Sequence, residues 1–145
     1  MVSELDLFTR ITNAIVKRLS RFGISAFGAK ELVVTGRKSG QPHSTPVNPV
    51  RFDGGLYLVA PRGQTQWVRN VRHTPQVVLR SGRSQDSYTV QELQGASAVP
   101  VMRVYLKKWA WEVGRFFPEG VTAKSTDDEI AAVIPAHPVF RLVRK

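Results

Sequence analysis

Two hydrophobic periods divide this chain. Between residues 5 and 22, Phe8, Ile11, Ile15, Leu19 and Phe22 recur at spacings of three and four, with Arg10, Lys17 and Arg21 opposite them. That is the pattern of a basic amphipathic helix. After Gly23 and Gly28 the period shortens, and β-branched runs at 32–35, 45–52, 56–60, 77–80 and 88–93 read as strands. Asp53-Gly54-Gly55 joins the second and third runs as a hairpin turn. Pro46 and Pro49 confine their run to a sheet edge or an irregular segment, because proline donates no ladder hydrogen bond. A short helix is predicted over 65–71, ending before Thr74-Pro75. A longer one begins near Pro100 and passes Trp111, with Val101, Val104, Tyr105, Trp109 and Val113 on one face. Thr126-Asp127-Asp128-Glu129 is a capping box opening a third brief helix to Val133, and 137–143 reads as a closing strand. Short strands linked mostly by turns predict an antiparallel barrel or a strongly curved sheet. With no repeat, low-complexity tract or linker, residues 1–145 read as one domain, mainly β with flanking helices, an α+β class.

Composition narrows the partners. The 145 residues are 42% hydrophobic, enough for a core, and carry a net charge of +10. Such a balance suits nucleic acid, an anionic membrane or a small acidic ligand, or simply keeps the chain soluble. Nucleic acid is the poorest fit, because no basic motif is interleaved with aromatic residues. The absence of cysteine excludes disulfides, thiolate metal sites and cysteine nucleophiles. No run approaches the roughly 18 apolar residues of a spanning helix, so the expectation is a cytoplasmic protein. The helix at 5–22 either packs on its own domain or lies on the anionic inner face of the cell membrane.

Charge is distributed unevenly. Between Leu32 and Gln85 the only acid is Asp53, against eight lysines and arginines. Within that span Gly36-Arg37-Lys38-Ser39-Gly40 follows the first strand. Its glycines permit backbone N–H groups to converge on an anion, while Arg37, Lys38 and the Ser39 hydroxyl add charge-assisted bonds. The same residues also make a good charged turn, and the pattern alone leaves both readings open. Ala60-Pro61-Arg62-Gly63 forms a second cationic turn, and Trp67 on the following helix is either a flat wall or core. Asn70 shares Trp67's side at i+3 and suits a ring carbonyl or a backbone group. His43, His73 and His137 have neither metal-ligand spacing nor a carboxylate nearby in sequence, and read as structural or solvated. No metal site, hydrolytic triad or acid–base pair can be assembled.

Taken together, these motifs resemble the deazaflavin-dependent nitroreductase family of actinobacteria, small split β-barrel proteins that use coenzyme F420. The match runs through T-G-R-K-S-G-x-P-x-x-x-P at 35–46, the Ala60–Gly63 turn, W-x-x-N at 67–70 and a basic-proline step at 72–75. The resemblance implies a split barrel of the FMN-binding type with an N-terminal amphipathic helix at 1–28. It also implies an 8-hydroxy-5-deazaflavin cofactor, FMN being the less favoured flavin, and hydride transfer to a quinone, enone or nitro acceptor. Carried across, Arg37, Lys38 and Ser39 would bind phosphate or the oligoglutamate tail, and Thr45 and Pro46 would line the ring. Ala60 and Arg62 would contact ring or phosphate, with Trp67 and Asn70 closing the pocket. The chain departs from the family in having His43, Arg62 and Val68 where other residues are usual, and in lacking C-terminal tyrosines. Tyr105 or a water is left as proton donor. In place of those tyrosines stand RVYLKKWAWEVGRFF at 103–117 and the ending HPVFRLVRK. That pattern is similar to a subgroup associated with fatty acids, so a lipid-binding role on the same barrel is the alternative.

Overall fold

The computed structural model describes residues 30–145, apart from the side chain of Glu112. The predicted helix at 5–22 lies outside those residues. Among the described residues seven strands make one antiparallel sheet: β1 (Lys30–Thr35), β2 (Pro42–Val47), β3 (Val50–Phe52), β4 (Gly55–Val59), β5 (Gln76–Ser81), β6 (Ser84–Leu93) and β7 (Val139–Arg144). The helices are α1 (Gln66–His73), α2 (Val99–Val113) and α3 (Asp127–Val133). Among the described residues no helix is long and apolar enough to cross a membrane.

The strand order is β2-β1-β5-β6-β7-β4-β3, which puts β2 and β3 at opposite edges. Yet only Asn48 and Pro49 separate them in sequence. In a flat sheet those edges would stand about 29 Å apart, at roughly 4.8 Å per strand. Three residue steps reach only about 11 Å. The sheet must therefore curl until its edges nearly meet, and the result is a split barrel. The run at 45–52 is accordingly two strands and not one. Pro49 cannot donate to a ladder, and the break at Asn48-Pro49 is the corner where the chain passes from one edge to the other.

The hairpin between β3 and β4 pairs Phe52 with Gly55 around Asp53 and Gly54. Both turn residues have positive φ, 47° and 77°, as the right-handed twist of a two-residue hairpin requires. A second tight hairpin, around Gly82 and Arg83, joins β5 to a β6 that starts at Ser84, earlier than the apolar run at 88–93 indicates. Residues 84–87 carry no apolar alternation, so only pairing with β5 makes them strand.

Alternation along β1 sends Leu32 and Val34 into a core shared with Leu58, Val68, Val71, Phe140 and Leu142. A second core cluster lies around α2, whose Val101, Met102, Tyr105, Leu106, Trp109 and Val113 pack with Val50, Val59, Ile130 and Val139. α3 opens on the predicted capping box: the Thr126 hydroxyl accepts from the Glu129 amide, and the Glu129 carboxylate accepts from the Thr126 amide.

Candidate functional site

The β1–β2 loop, residues 36–41, closes on itself. The Gly36 amide donates to the Gln41 carbonyl at 2.7 Å and the Gly40 amide to the Gly36 carbonyl at 2.9 Å, with the Gln41 amide on the Ser39 hydroxyl at 3.1 Å. A Cβ on Gly36 would come within 2.8 Å of the Ser39 hydroxyl and 2.7 Å of the His43 ring. Glycine is therefore needed there for close approach, and at Gly40 for a φ of 70°.

α1 fixes this loop from outside. Asn70, buried at one turn's remove from Trp67, accepts from the Arg37 amide at 3.0 Å and from Arg37 Nη1 at 2.9 Å. Nη1 also donates to Gln66 at 2.8 Å. The Arg37 amide and one guanidinium nitrogen are thus committed to the scaffold, and its other guanidinium N–H groups are the ones left for a ligand. Lys38 and Ser39 are exposed at the tip.

The second turn, after β4, is held from below. Gly63, at φ 80°, passes so close to the Ala136 carbonyl that a Cβ would meet that oxygen at 2.8 Å. The Pro61 carbonyl accepts from His137 Nδ1 at 2.8 Å, while His137 Nε2 meets the Glu119 carboxylate at 2.8 Å. Phe117 stacks on the same imidazole, centroids 4.1 Å apart. His137 is therefore structural, as its sequence pattern suggested, and its carboxylate partner comes from 18 residues away in the chain. Burial alone would raise the Glu119 carboxyl above its ordinary value. A hydrogen bond from its own amide and the hydrogen bond and charge of His137 outweigh that, so it lies below.

Between the two turns opens a cleft of about 780 Å³. Arg37, Lys38, Ser39, Thr45, Pro46, Arg62, Trp67, Asn70 and Tyr105 all border it. Ala60 does not: it is buried in the core, its amide donating to the Pro138 carbonyl, and its neighbours Val59 and Pro61 line the cleft instead. Tyr105 reaches the cleft from α2 with only 1% of its surface exposed. Trp67 is half-buried and packs its ring on Phe140 at 5.5 Å, leaving it both a wall and a core contact. Val113, Arg115 and Phe116 also line the cleft, though they belong to none of the glycine-turn or W-x-x-N motifs. They arrive because α2 ends at Gly114 and a single 3₁₀ turn follows, and no local signal says which way that turn faces.

Arg37, Lys38, Arg62 and Arg115 border the cleft, and among the described residues no aspartate or glutamate does. Such a cavity concentrates a field on an anion. The lining offers what a planar cofactor with anionic groups would need: an aromatic face at Trp67 and four cationic side chains.

Comparison with known proteins agrees. Several solved structures share the fold at low identity. One is HutZ, a heme storage protein of Vibrio cholerae, with a TM-score of 0.52, 11% identity and 89% of each chain covered. Another is a putative pyridoxamine 5′-phosphate oxidase of Listeria innocua, with a TM-score of 0.52, 13% identity, and 87% of this chain and 91% of that one covered. A conserved hypothetical protein of Mycobacterium tuberculosis has a TM-score of 0.55 at 18% identity, over 89% of this chain and 79% of that one. No curated protein matches the chain in sequence. The sequence pattern of F420H(2)-dependent quinone reductases matches residues 9–134, nearly the whole chain. The chain therefore belongs to the F420H(2)-dependent quinone reductase family, and is an oxidoreductase whose cofactor is coenzyme F420.

Proposed function

We propose that this cleft holds the reduced deazaflavin and delivers its hydride to a quinone, or to an enone or nitro compound of similar shape. The observation that carries this reading is the cleft's lining among the described residues: four guanidinium and ammonium groups, no carboxylate, and one tryptophan face. In this reading Lys38, Ser39 and the uncommitted part of Arg37 take phosphate or tail carboxylates. Thr45, Pro46 and Trp67 bound the ring, Arg62 reaches ring or phosphate, and Asn70 acts by holding Arg37. When bound, the cofactor supplies the hydride. The chain's contribution is position, exclusion of water and a positive field for the charge that develops on the acceptor. Tyr105 or a water supplies the proton that completes reduction.

The aromatic residues that suggested a fatty-acid site do not line one cavity. Trp109 and Phe117 are core, Phe116 borders the cleft and Trp111 is exposed. Nothing in their placement favours an acyl chain over a planar acceptor.

Titrating the protein with coenzyme F420, followed by the coenzyme's fluorescence, tests the reading directly. Saturable binding is expected. Lys38→Ala should weaken it about 10- to 100-fold with the fold intact, since a hydrogen bond to a charged group is worth about 1.5–3 kcal/mol. An unchanged fluorescence, or FMN bound in preference, would sink the reading.

A further inference from the structure

We infer that Arg115, Phe116 and Arg62 form the acceptor-side wall of the cleft and select a planar carbonyl acceptor whose oxygen is, or becomes, anionic. This rests on the reading of the cleft as the deazaflavin site. The Arg62 guanidinium carbon lies 4.9 Å from the centre of the Phe116 ring, and that of Arg115 lies 4.8 Å from it. The two charges therefore sit within about 10 Å of each other, roughly one Debye length at 0.1 M salt. Among the described residues no carboxylate pairs with either: Glu119, four residues beyond Arg115, is engaged by His137. Attraction of each cation to the ring face offsets part of the mutual repulsion and leaves the charge itself in place.

The pair is also held in place. Arg115 and Phe116 occupy the 3₁₀ turn Gly114–Phe116 that ends α2, and the next residue, Phe117, is buried against the His137 ring. The same His137 binds the Pro61 carbonyl, so one imidazole anchors both the turn bearing Arg62 and the segment bearing Arg115. A guanidinium stacked on an aromatic face keeps its planar fork of N–H donors free for a carboxylate or an oxyanion. Arg62 lies in the stretch carrying the cofactor motifs, while Arg115 comes from the far end of α2. The wall they share thus stands beside the cofactor's place without belonging to the cationic loop.

Its chemistry suits the reaction. A hydride brings the acceptor two electrons and one hydrogen, the bound deazaflavin being oxidised in the same step. The electron pair ends on the acceptor oxygen as a negative charge until a proton from Tyr105 or water neutralises it. Fixed cations at that oxygen stabilise the charge as it develops and hold an already anionic acceptor in the ground state.

Two probes of nearly the same shape separate charge from fit: 1,4-naphthoquinone, which is neutral, and 2-hydroxy-1,4-naphthoquinone, which is an anion at pH 7. Binding of each to the full-length protein is measured by calorimetry, with and without coenzyme F420. The anion should bind at least about tenfold tighter, a difference of 1.4 kcal/mol. Arg115→Gln should abolish that preference, Arg115→Lys should restore part of it, and any fall in coenzyme affinity should stay well below the fall for the anionic quinone. Arg115 is exposed, and thermal unfolding of both variants checks that the fold survives. Equal binding of the two quinones by the wild type, or a preference that persists in Arg115→Gln, overturns the inference. So does a parallel loss of coenzyme binding in Arg115→Gln, which would assign the residue to the cofactor. A wild type that binds no coenzyme yet shows an Arg115-dependent preference would remove the cofactor reading and still support an anionic planar ligand at this wall.

Discussion

The carboxamide oxygen of Asn70 takes two donors from Arg37, one from the backbone and one from the guanidinium, so its replacement can separate scaffolding from electrostatics. Asn70→Ala leaves the Arg37 amide without its partner in a partly buried place, which costs about 1–3 kcal/mol of stability and loosens the cationic loop. Asn70→Asp keeps both acceptor contacts and adds a charge pair with Arg37, so the fold should be as stable as wild type or more so. The added negative charge nevertheless opposes an anionic ligand by about 1–2 kcal/mol at distances near 10 Å and an effective dielectric near 20. Denaturant unfolding and coenzyme titration of the two variants should therefore disagree in order: both bind F420 at least about fivefold more weakly, and only Asn70→Ala is destabilised. An aspartate variant that bound the coenzyme as tightly as wild type would show that the cleft does not act through its charge. At this scale W-x-x-N was legible because i and i+3 share a helix face, and the charge-poor stretch because acids can be counted. That Arg37 is half committed to α1 was not legible, since its partner lies 33 residues away.

Turns, more than strands, set where the site's elements meet. Gly63 and Gly54 both have strongly positive φ, 80° and 77°, yet a side chain on Gly63 would strike the Ala136 carbonyl while one on Gly54 would meet nothing within 4 Å. Gly54→Ala should cost only the backbone term, about 1–2 kcal/mol. Gly63→Ala should cost at least about 1 kcal/mol more, because backbone must move from backbone, and should displace Arg62 and Pro61 together. Urea unfolding of the pair, with coenzyme binding as second readout, measures the difference. Equal destabilisation and unaltered binding in both would mean that the segment 134–136 does not hold the turn. The hairpin at Gly54 was legible from Asp-Gly-Gly alone, as was the capping box of α3, because each is a local rule satisfied within four residues. The contact beneath Gly63 joins distant parts of the chain. So does the corner at Asn48-Pro49, where Pro46 and Pro49 predicted an edge but not that the chain would pass to the opposite edge of the sheet.

Across the whole molecule, two carboxylates respond to folding in opposite senses, and pH separates them. Glu31 is buried on β1, and one of its oxygens has no hydrogen-bond partner. Burial raises its carboxyl above the ordinary 4.5, with the Arg80 charge, opposite it on β5, pulling the other way and losing. An acid whose folded value is raised binds its proton more tightly in the folded state, so stability falls as pH rises from about 4.5 through that raised value and is flat above it. Glu119 is the reverse. Its folded value is lowered, so its contribution is fully present above about 4.5 and disappears as pH falls through the lowered value. Glu31→Gln should therefore gain on wild type as pH climbs from 4.5 and keep a constant advantage at neutral pH. Glu119→Gln should be the weaker protein at neutral pH and converge on wild type in acid. Because His137 joins Glu119 to the Pro61 turn, Glu119→Gln should also weaken coenzyme binding, whereas Glu31→Gln, absent from the cleft, should leave it within about twofold. Equilibrium unfolding of both variants between pH 3 and 8 checks the signs. A Glu119→Gln curve parallel to wild type throughout would mean that the buried imidazole holds the cleft without its carboxylate.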